Sequence, residues 1–485
     1  MNIRTILNLL NFITLIAFIL LNTYFDSEFF NEISIVYSSI YYLLILISLN
    51  IPIVLLKAEI LFIHIVFYVY YGFRMFFISF SENYSLGVGE YDFMRYEFLT
   101  ELDFQNASYF LILTVLIFIS FQIFLFTRKK VRVSFSLQYY SKELERIILY
   151  LVIALVLFKG VYTYFGYNEL IGKAWPNTFL FKIVLYFVEY TKILIIFTFF
   201  TFCKNYIYKY DNFLPSLAVL LILVSGIPTG GKGLLIQPVM FLLLISMYLG
   251  VYRVRKKFIL FFVFVVIFTG FMSYGQHIFR NFISEGKHEM FIKSSVFLQD
   301  SSEIYKQRNL NSVIFTISNL SKRLGGYDWL AMSQSAYFRY LIGNEVTLTK
   351  TSNRIIDRFI PNYYKNKALI PNGRIIAEGI RNESKESRAH YSEYFTFFGY
   401  IGFYGFYGAL FFWIFMYLVY KTRMIKNPYM AIAISSSLIL NFFMSGDTPS
   451  LVKSTVVMIF VFQFWVLTAR IFMGFKKLYI LKFKV

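Results

Sequence analysis

Arg374, Glu378, Arg381, Arg388, His390 and Glu393 fall between positions 374 and 393, just before an apolar stretch. Clustered guanidinium groups hold phosphate or diphosphate oxygens through charge-assisted, often bidentate hydrogen bonds. A carboxylate or imidazole beside them can take a proton from an attacking hydroxyl. Glu393 and His390 suit that base, with Glu378 in reserve. A solvated helix end would also look like this, but the mixture of arginine, histidine and carboxylate favours a clamp that moves a proton. Arg354, Asp357, Arg358, Pro361, Lys365 and Lys367 form a second basic string, which taken alone reads as a surface loop with scattered charge. Arg323 precedes Gly325-Gly326-Tyr327-Asp328-Trp329. That segment reads as the start of an amphipathic helix, or as a platform on which Tyr327 and Trp329 stack sugar rings.

Thr229-Gly230-Gly231-Lys232-Gly233, read from Gly226, nearly spells a phosphate-binding loop. Gly233 stands where such a loop needs a hydroxyl for Mg²⁺, and no strand precedes it. Two readings stay level: a tight glycine turn, or an anion seat with Lys232 at a helix start. Gly399, Gly402, Gly405 and Gly408 recur every third residue and suit close helix packing in a membrane. His64, His277, His288 and His390 are dispersed, Cys203 is the single cysteine, and His390 with Glu393 lacks a third ligand. No metal and no cofactor is expected.

These residues have to be positioned by membrane helices. The chain has 485 residues, of which 58% are hydrophobic and 15% charged, with a mean hydropathy of +0.60. One soluble core cannot hide that much apolar surface, which excludes an ordinary cytosolic enzyme, a disordered chain and a disulfide scaffold. A hydrocarbon core takes about 20 apolar residues per helix. By that ruler the chain is an all-α polytopic membrane protein with twelve spans, at 5–24, 34–56, 58–80, 108–127, 147–166, 179–202, 213–228, 233–252, 258–275, 396–420, 429–445 and 452–472. The second and third spans run together, parted only around Leu56 and Lys57. No small-residue cleavage site follows the first, so it reads as a span and not a removable signal. Residues 1–275 thus carry the first nine helices. Residues 276–395 form a large, mostly helical loop domain, and 396–485 hold the last three helices and a basic tail.

With both termini in the cytoplasm, the inner segments hold 22 Lys and Arg against 4 in the short outer loops, a bias that sets orientation. The large loop is then extracytoplasmic. Residues 276–394 hold 17 Lys and Arg against 11 Asp and Glu, and a basic outer domain suits an anionic ligand. No nucleic-acid partner is expected. Arg74, Lys159, Lys182, Glu189 and Lys192 fall inside spans, where ionisable groups are costly and point to function. Glu189 and Lys192 share a helix face and satisfy each other. Arg74 and Lys159 either snorkel or line an outward cavity with Lys182. The halves of the chain differ, which weighs against the paired repeats of many transporters.

Twelve spans, a late outer loop and Glu393-Tyr394-x4-Gly399-x-x-Gly402 resemble bacterial oligosaccharide repeat-unit polymerases of the O-antigen polymerase (Wzy) type. Pro361 with Asn366-Lys367, and Arg388 separated from Gly399 by ten intervening residues, are similar to motifs of that family. Gly231-Lys232-Gly233 stands where the family often carries Ser-Arg-Gly. O-antigen ligases share the layout but place His-Asn before their Gly-x-x-Gly, whereas His390 here precedes Tyr391. The resemblance implies a GT-C-like arrangement and a metal-independent glycosyltransferase in the bacterial cytoplasmic membrane. The implied donor is an oligosaccharide on a polyprenyl (undecaprenyl) diphosphate. The hydroxyl of a second lipid-linked unit attacks it, yielding a surface polysaccharide such as O-antigen, capsule or exopolysaccharide. Lys232, Arg323, Arg358, Arg374, Arg381 and Arg388 would hold the diphosphate, membrane lipid would carry the polyprenyl chains, and a chain-length regulator would be the protein partner. A ligase-type transferase, a polysaccharide flippase or transporter, and a non-enzymatic assembly scaffold are the alternatives.

Overall fold

The computed structural model describes residues 2–25, 30–52, 56–83, 100–127, 139–164, 192–225, 233–250, 326–334, 403–440, 442–443 and 448–482. Among them there are helices and no strand. In chain order they are α1 (Ile3–Tyr24), α2 (Glu32–Asn50), α3 (Lys57–Val66), α4 (Phe73–Asn83), α5 (Glu101–Thr127), α6 (Lys142–Tyr164) and α7 (Lys192–Tyr208). Then come α8 (Phe213–Ser225), α9 (Gly233–Tyr248), α10 (Gly326–Gln334), α11 (Phe403–Thr422), α12 (Pro428–Leu440) and α13 (Thr448–Lys482). Four stretches are long and apolar enough to cross a membrane: Ile3–Tyr24, Glu32–Asn50, Lys57–Ser79 and Glu101–Thr127. These four mark a membrane protein. The span read at 258–275 lies outside the described residues.

Helix ends follow local chemistry. The Asn2 side chain accepts from the Arg4 amide at 3.2 Å, and Asn31 accepts from the Ser34 amide at 2.8 Å. Both are N-caps of the favoured type. Asp103 accepts from the amide and hydroxyl of Thr100 at 2.9 and 3.0 Å. That bond starts α5 seven residues before the apolar stretch beginning at 108, because a capped helix runs on past the hydrocarbon. The break read around Leu56 and Lys57 is a left-handed Leu56 (φ 54°, ψ 27°) directly before α3.

The chain divides into two compact units. Unit 1 holds residues 1–133, 318–424 and 435–455, and unit 2 holds 134–317, 425–434 and 456–485. In unit 1, α2 packs against α1 and α5, and α11 packs against α5. Leu7, Leu15 and Phe18 of α1 face inward. Leu9, Phe12, Ile13, Ile16 and Leu20 stay exposed, the apolar outer face that lipid would cover. In unit 2, α6, α7 and α8 pack on one another and α9 packs on α7.

α3 and α4 are joined by a π-turn, Phe67–Gly72. The wider turn takes carbonyls out of the regular ladder, and inside an apolar bundle those oxygens need other donors. Tyr41 and Tyr42 of α2 supply them: their hydroxyls donate to Phe67 O at 2.9 Å and to Gly72 O at 2.6 Å. A Cβ on Gly72 would sit 3.1 Å from Tyr42 Cε1, so the glycine makes room for this approach. Tyr68 pairs with Thr14 Oγ1 at 2.8 Å and Tyr71 donates to Phe443 O at 3.3 Å. Tyr42→Phe should strand the Gly72 carbonyl and lower stability by about 1–3 kcal/mol. Thermal unfolding of the purified protein measures this, with exposed Tyr150→Phe as the silent control.

Candidate functional site

Within unit 1, α10 meets α5, the π-turn and α4. Sequence reading places α10 in the large loop, yet Gly326, Tyr327, Leu330, Ala331 and Gln334 are all buried. Gly326 permits the approach. A Cβ there would fall 2.2 Å from Tyr70 Cδ1 and 2.8 Å from Tyr71 Cε1, which no side chain tolerates. Beside it Tyr327 closes a chain of hydroxyls. Ser38 Oγ and Ser108 Oγ are 2.9 Å apart, Ser108 Oγ and the Tyr327 hydroxyl are 2.9 Å apart, and Tyr327 donates to Phe104 O at 3.3 Å. The Tyr327 ring lies parallel to Phe30 at 6.3 Å and tilted on Phe104 at 5.7 Å. It has no accessible surface. Tyr327 therefore serves as the anchor of α10, its ring packed against Phe30 and Phe104. The backbone of Trp329 lies in α10; its side chain is outside the described residues.

Arg74 is the second residue of α4, directly after the π-turn, and is fully buried. It does not snorkel. Its guanidinium carbon lies 5.9 Å from the Phe77 ring centroid. A cation held in a low-dielectric interior acts on an anion far more strongly than one in water, and an ionisable group inside a span marks function by default. Arg74, the π-turn and α10 together make the candidate site: a buried cation next to a tyrosine-rich turn, with α10 packed alongside.

Among the described residues, two buried ion pairs lie elsewhere. At the end of unit 1 where α3 begins, Glu59 accepts two hydrogen bonds from Arg423, Nε to Oε1 and Nη2 to Oε2, both 2.7 Å. Glu59 has no accessible surface. In unit 2, Glu145 Oε1 accepts from Lys204 Nζ and from the Tyr429 hydroxyl, each at 2.5 Å. Asn427 holds this group in place. Its Oδ1 caps α12 by accepting from the Tyr429 amide at 3.0 Å, and its Nδ2 donates to the Tyr140 hydroxyl at 2.8 Å. Burial pushes the Tyr140 hydroxyl up to about 12, so it stays protonated there. Tyr429 stacks on Phe197 at 4.7 Å and on Tyr140 at 5.3 Å.

Lys204 and Arg423 read in the sequence as topology signals alone, and each satisfies a buried carboxylate. Glu59 falls inside the span read at 58–80, where a charge is as costly as that of Arg74. Glu145 is an acid within an otherwise basic run. Those two features were the available signals. Lys232, Arg323, Arg358, Arg374, Glu378, Arg381, Arg388, His390 and Glu393 lie outside the described residues, as do Lys182 and Glu189. Lys159 and Lys192 lie on α6 and α7 with their side chains outside that set. No group of three or more His, Cys, Asp or Glu side chains able to hold a metal occurs among the described residues. Compared with models of protein families, with curated proteins and with solved structures, the chain matches none.

Proposed function

We propose that the protein polymerises oligosaccharide repeat units carried on polyprenyl diphosphate, by glycosyl transfer at the outer face of the bacterial cytoplasmic membrane. In this reading all twelve spans cross the membrane, both termini are cytoplasmic, and the segment 276–395 is the outer domain. One observation carries it: α10, which immediately follows Arg323 and Gly325 in the chain, is anchored among apolar helices beside the helix that bears buried Arg74. A reaction whose leaving group is an anionic lipid needs polar loop residues and membrane helices to share one site. Cations there stabilise the departing diphosphate without a metal. The acceptor hydroxyl loses its proton to Glu393 or His390, the anomeric carbon gains the new oxygen bond, and the lipid diphosphate leaves. Arg388, Arg381, Arg374, Arg358, Arg323 and Lys232 supply positive charge to it. The similarity of Glu393 to Gly402 to the repeat-unit polymerases supports the same chemistry.

The test uses lipid-linked repeat units and the purified protein. Arg388→Ala and Glu393→Gln should each lower chain growth by about 100-fold or more, the scale of a lost acid–base or charge-stabilising group. Normal polymer lengths from both variants, at normal protein levels, would sink this assignment. Transfer of glycan to a lipid A core in place of chain growth would identify a ligase. Movement of the lipid-linked unit across vesicles without a new glycosidic bond would identify a flippase.

A further inference from the structure

Four polar side chains from four helices of unit 1 share one level. The bond between Thr14 of α1 and Tyr68 at 2.8 Å sets the register of two helical segments that run the same way. One turn earlier on each lie Leu10 and His64, so Asn11 is level with His64. Asn8 donates to Asn50 of the antiparallel α2 at 3.4 Å, which brings Asn11 level with residues 47 and 48. Ser48 Oγ in turn lies 2.8 Å from His64 Nε2 and accepts from Gln122 Nε2 of α5 at 2.8 Å. Asn11 and Ser48 have no accessible surface, and His64 and Gln122 are each 1% exposed.

The hydrogens at this level can be assigned. His64 Nδ1 is 2.7 Å from Ile60 O, and a carbonyl only accepts, so Nδ1 carries the proton. In the neutral ring Nε2 is then the acceptor and takes the Ser48 hydroxyl hydrogen. Asn11 Nδ2 donates to Leu7 O at 2.9 Å, and Gln122 Nε2 is committed to Ser48. Asn11 Oδ1 and Gln122 Oε1 remain, and no protein group bonds to either. Two amide oxygens buried in an apolar bundle without a donor are costly. Whatever binds here must donate hydrogen bonds. We take it to be uncharged: among the described residues of this end of unit 1, Arg4, Lys57, Lys421 and Arg423 are cations, and the carboxylate of Glu59 is already held by Arg423. A bare cation would be buried without a counter-charge.

We propose that this level is a binding site for water, which donates to Asn11 Oδ1 and Gln122 Oε1 and ties α1 to α5 across the Ser48–His64 pair. A buried water commonly makes about three hydrogen bonds, and the second amide hydrogen of Asn11 or Gln122 supplies the third. The inference is independent of the enzymatic reading. It would make the neutral His64 tautomer part of a polar layer within otherwise apolar helices.

The experiment is a double-substitution cycle in the full-length protein, reading the thermal unfolding midpoint in sodium and in choline buffers. Asn11→Leu should lower the midpoint by about 2–4 °C. Gln122→Leu should lower it further, since it also frees Ser48. The two together should cost no more than Gln122→Leu alone, because the shared water is lost once. Losses that add, or a midpoint raised by Asn11→Leu, would overturn the proposal, the latter showing a dry orphan oxygen. Stabilisation that follows sodium concentration would overturn it in favour of a cation. If the substituted proteins do not fold, water-edited NMR of the ¹⁵N-histidine protein decides. Early magnetisation transfer from water to the His64 ring supports the site, and its absence overturns it.

Discussion

Arg423→Leu destabilises the protein by about 3–5 kcal/mol, because it removes two charge-assisted hydrogen bonds from a buried carboxylate. Glu59 has no accessible surface and receives two hydrogen bonds from Arg423 through a fork geometry that only arginine provides. Arg423→Lys therefore does not rescue it fully. The companion result separates pairing from packing: Glu59→Leu combined with Arg423→Leu recovers most of the loss, since an apolar pair of similar volume needs no desolvation. Denaturation of the purified protein in a defined detergent, with the single and double variants side by side, measures both. Equal loss in the double variant would mean that the two side chains matter for shape and not for charge.

Gly326→Ala expels α10 from its seat. The added methyl would have to occupy space held by the Tyr70 and Tyr71 rings, with Tyr70 Cδ1 only 2.2 Å away. Overpacking of this kind costs about 1–3 kcal/mol, and at tenfold per 1.4 kcal/mol that is ~5- to 150-fold in the docking equilibrium constant. Under the proposed function, polymer length falls accordingly while the bundle itself stays folded. Tyr70→Ala opens the space and should restore part of the activity to Gly326→Ala. Polymer length in cells, read beside the unfolding midpoint of each purified variant, tests this. Normal lengths from Gly326→Ala would separate α10 docking from catalysis.

Much of the helical plan was legible because lipid imposes a simple rule of length and apolarity. α1 was expected at 5–24 and runs Ile3–Tyr24, and the break expected around Leu56 is the left-handed residue itself. Polar helix ends were not legible in the same way. Glu101 to Ala107 carries the first turns of α5, yet its composition resembles a loop, and the Thr100–Asp103 cap is what extends the helix. Partners across the bundle were least legible. Glu59 meets Arg423 over a separation of 364 residues and Ser108 meets Tyr327 over 219. No local pattern of residues encodes such distances. Tyr327 shows the limit most clearly: an aromatic beside an arginine in a polar loop resembles a sugar platform, and only its burial shows that it anchors a helix. Of the candidate site, Arg74 was recognisable from the cost of its charge, and the α10 seat was not.

The π-turn has a further consequence for the sequence as a string. An α-helix turns about 100° per residue, so the additional residue carried between Phe67 and Gly72 rotates everything after it by roughly that angle. Arg74, Met75 and Ile78 reach the interior in that rotated frame. Removing one residue from this turn would leave a smoother helix of nearly the same length and apolarity. It would also swing the arginine about a quarter-turn away from its present bearing. Two chains that look alike by hydropathy, one with this residue and one without, would therefore present different faces to α10.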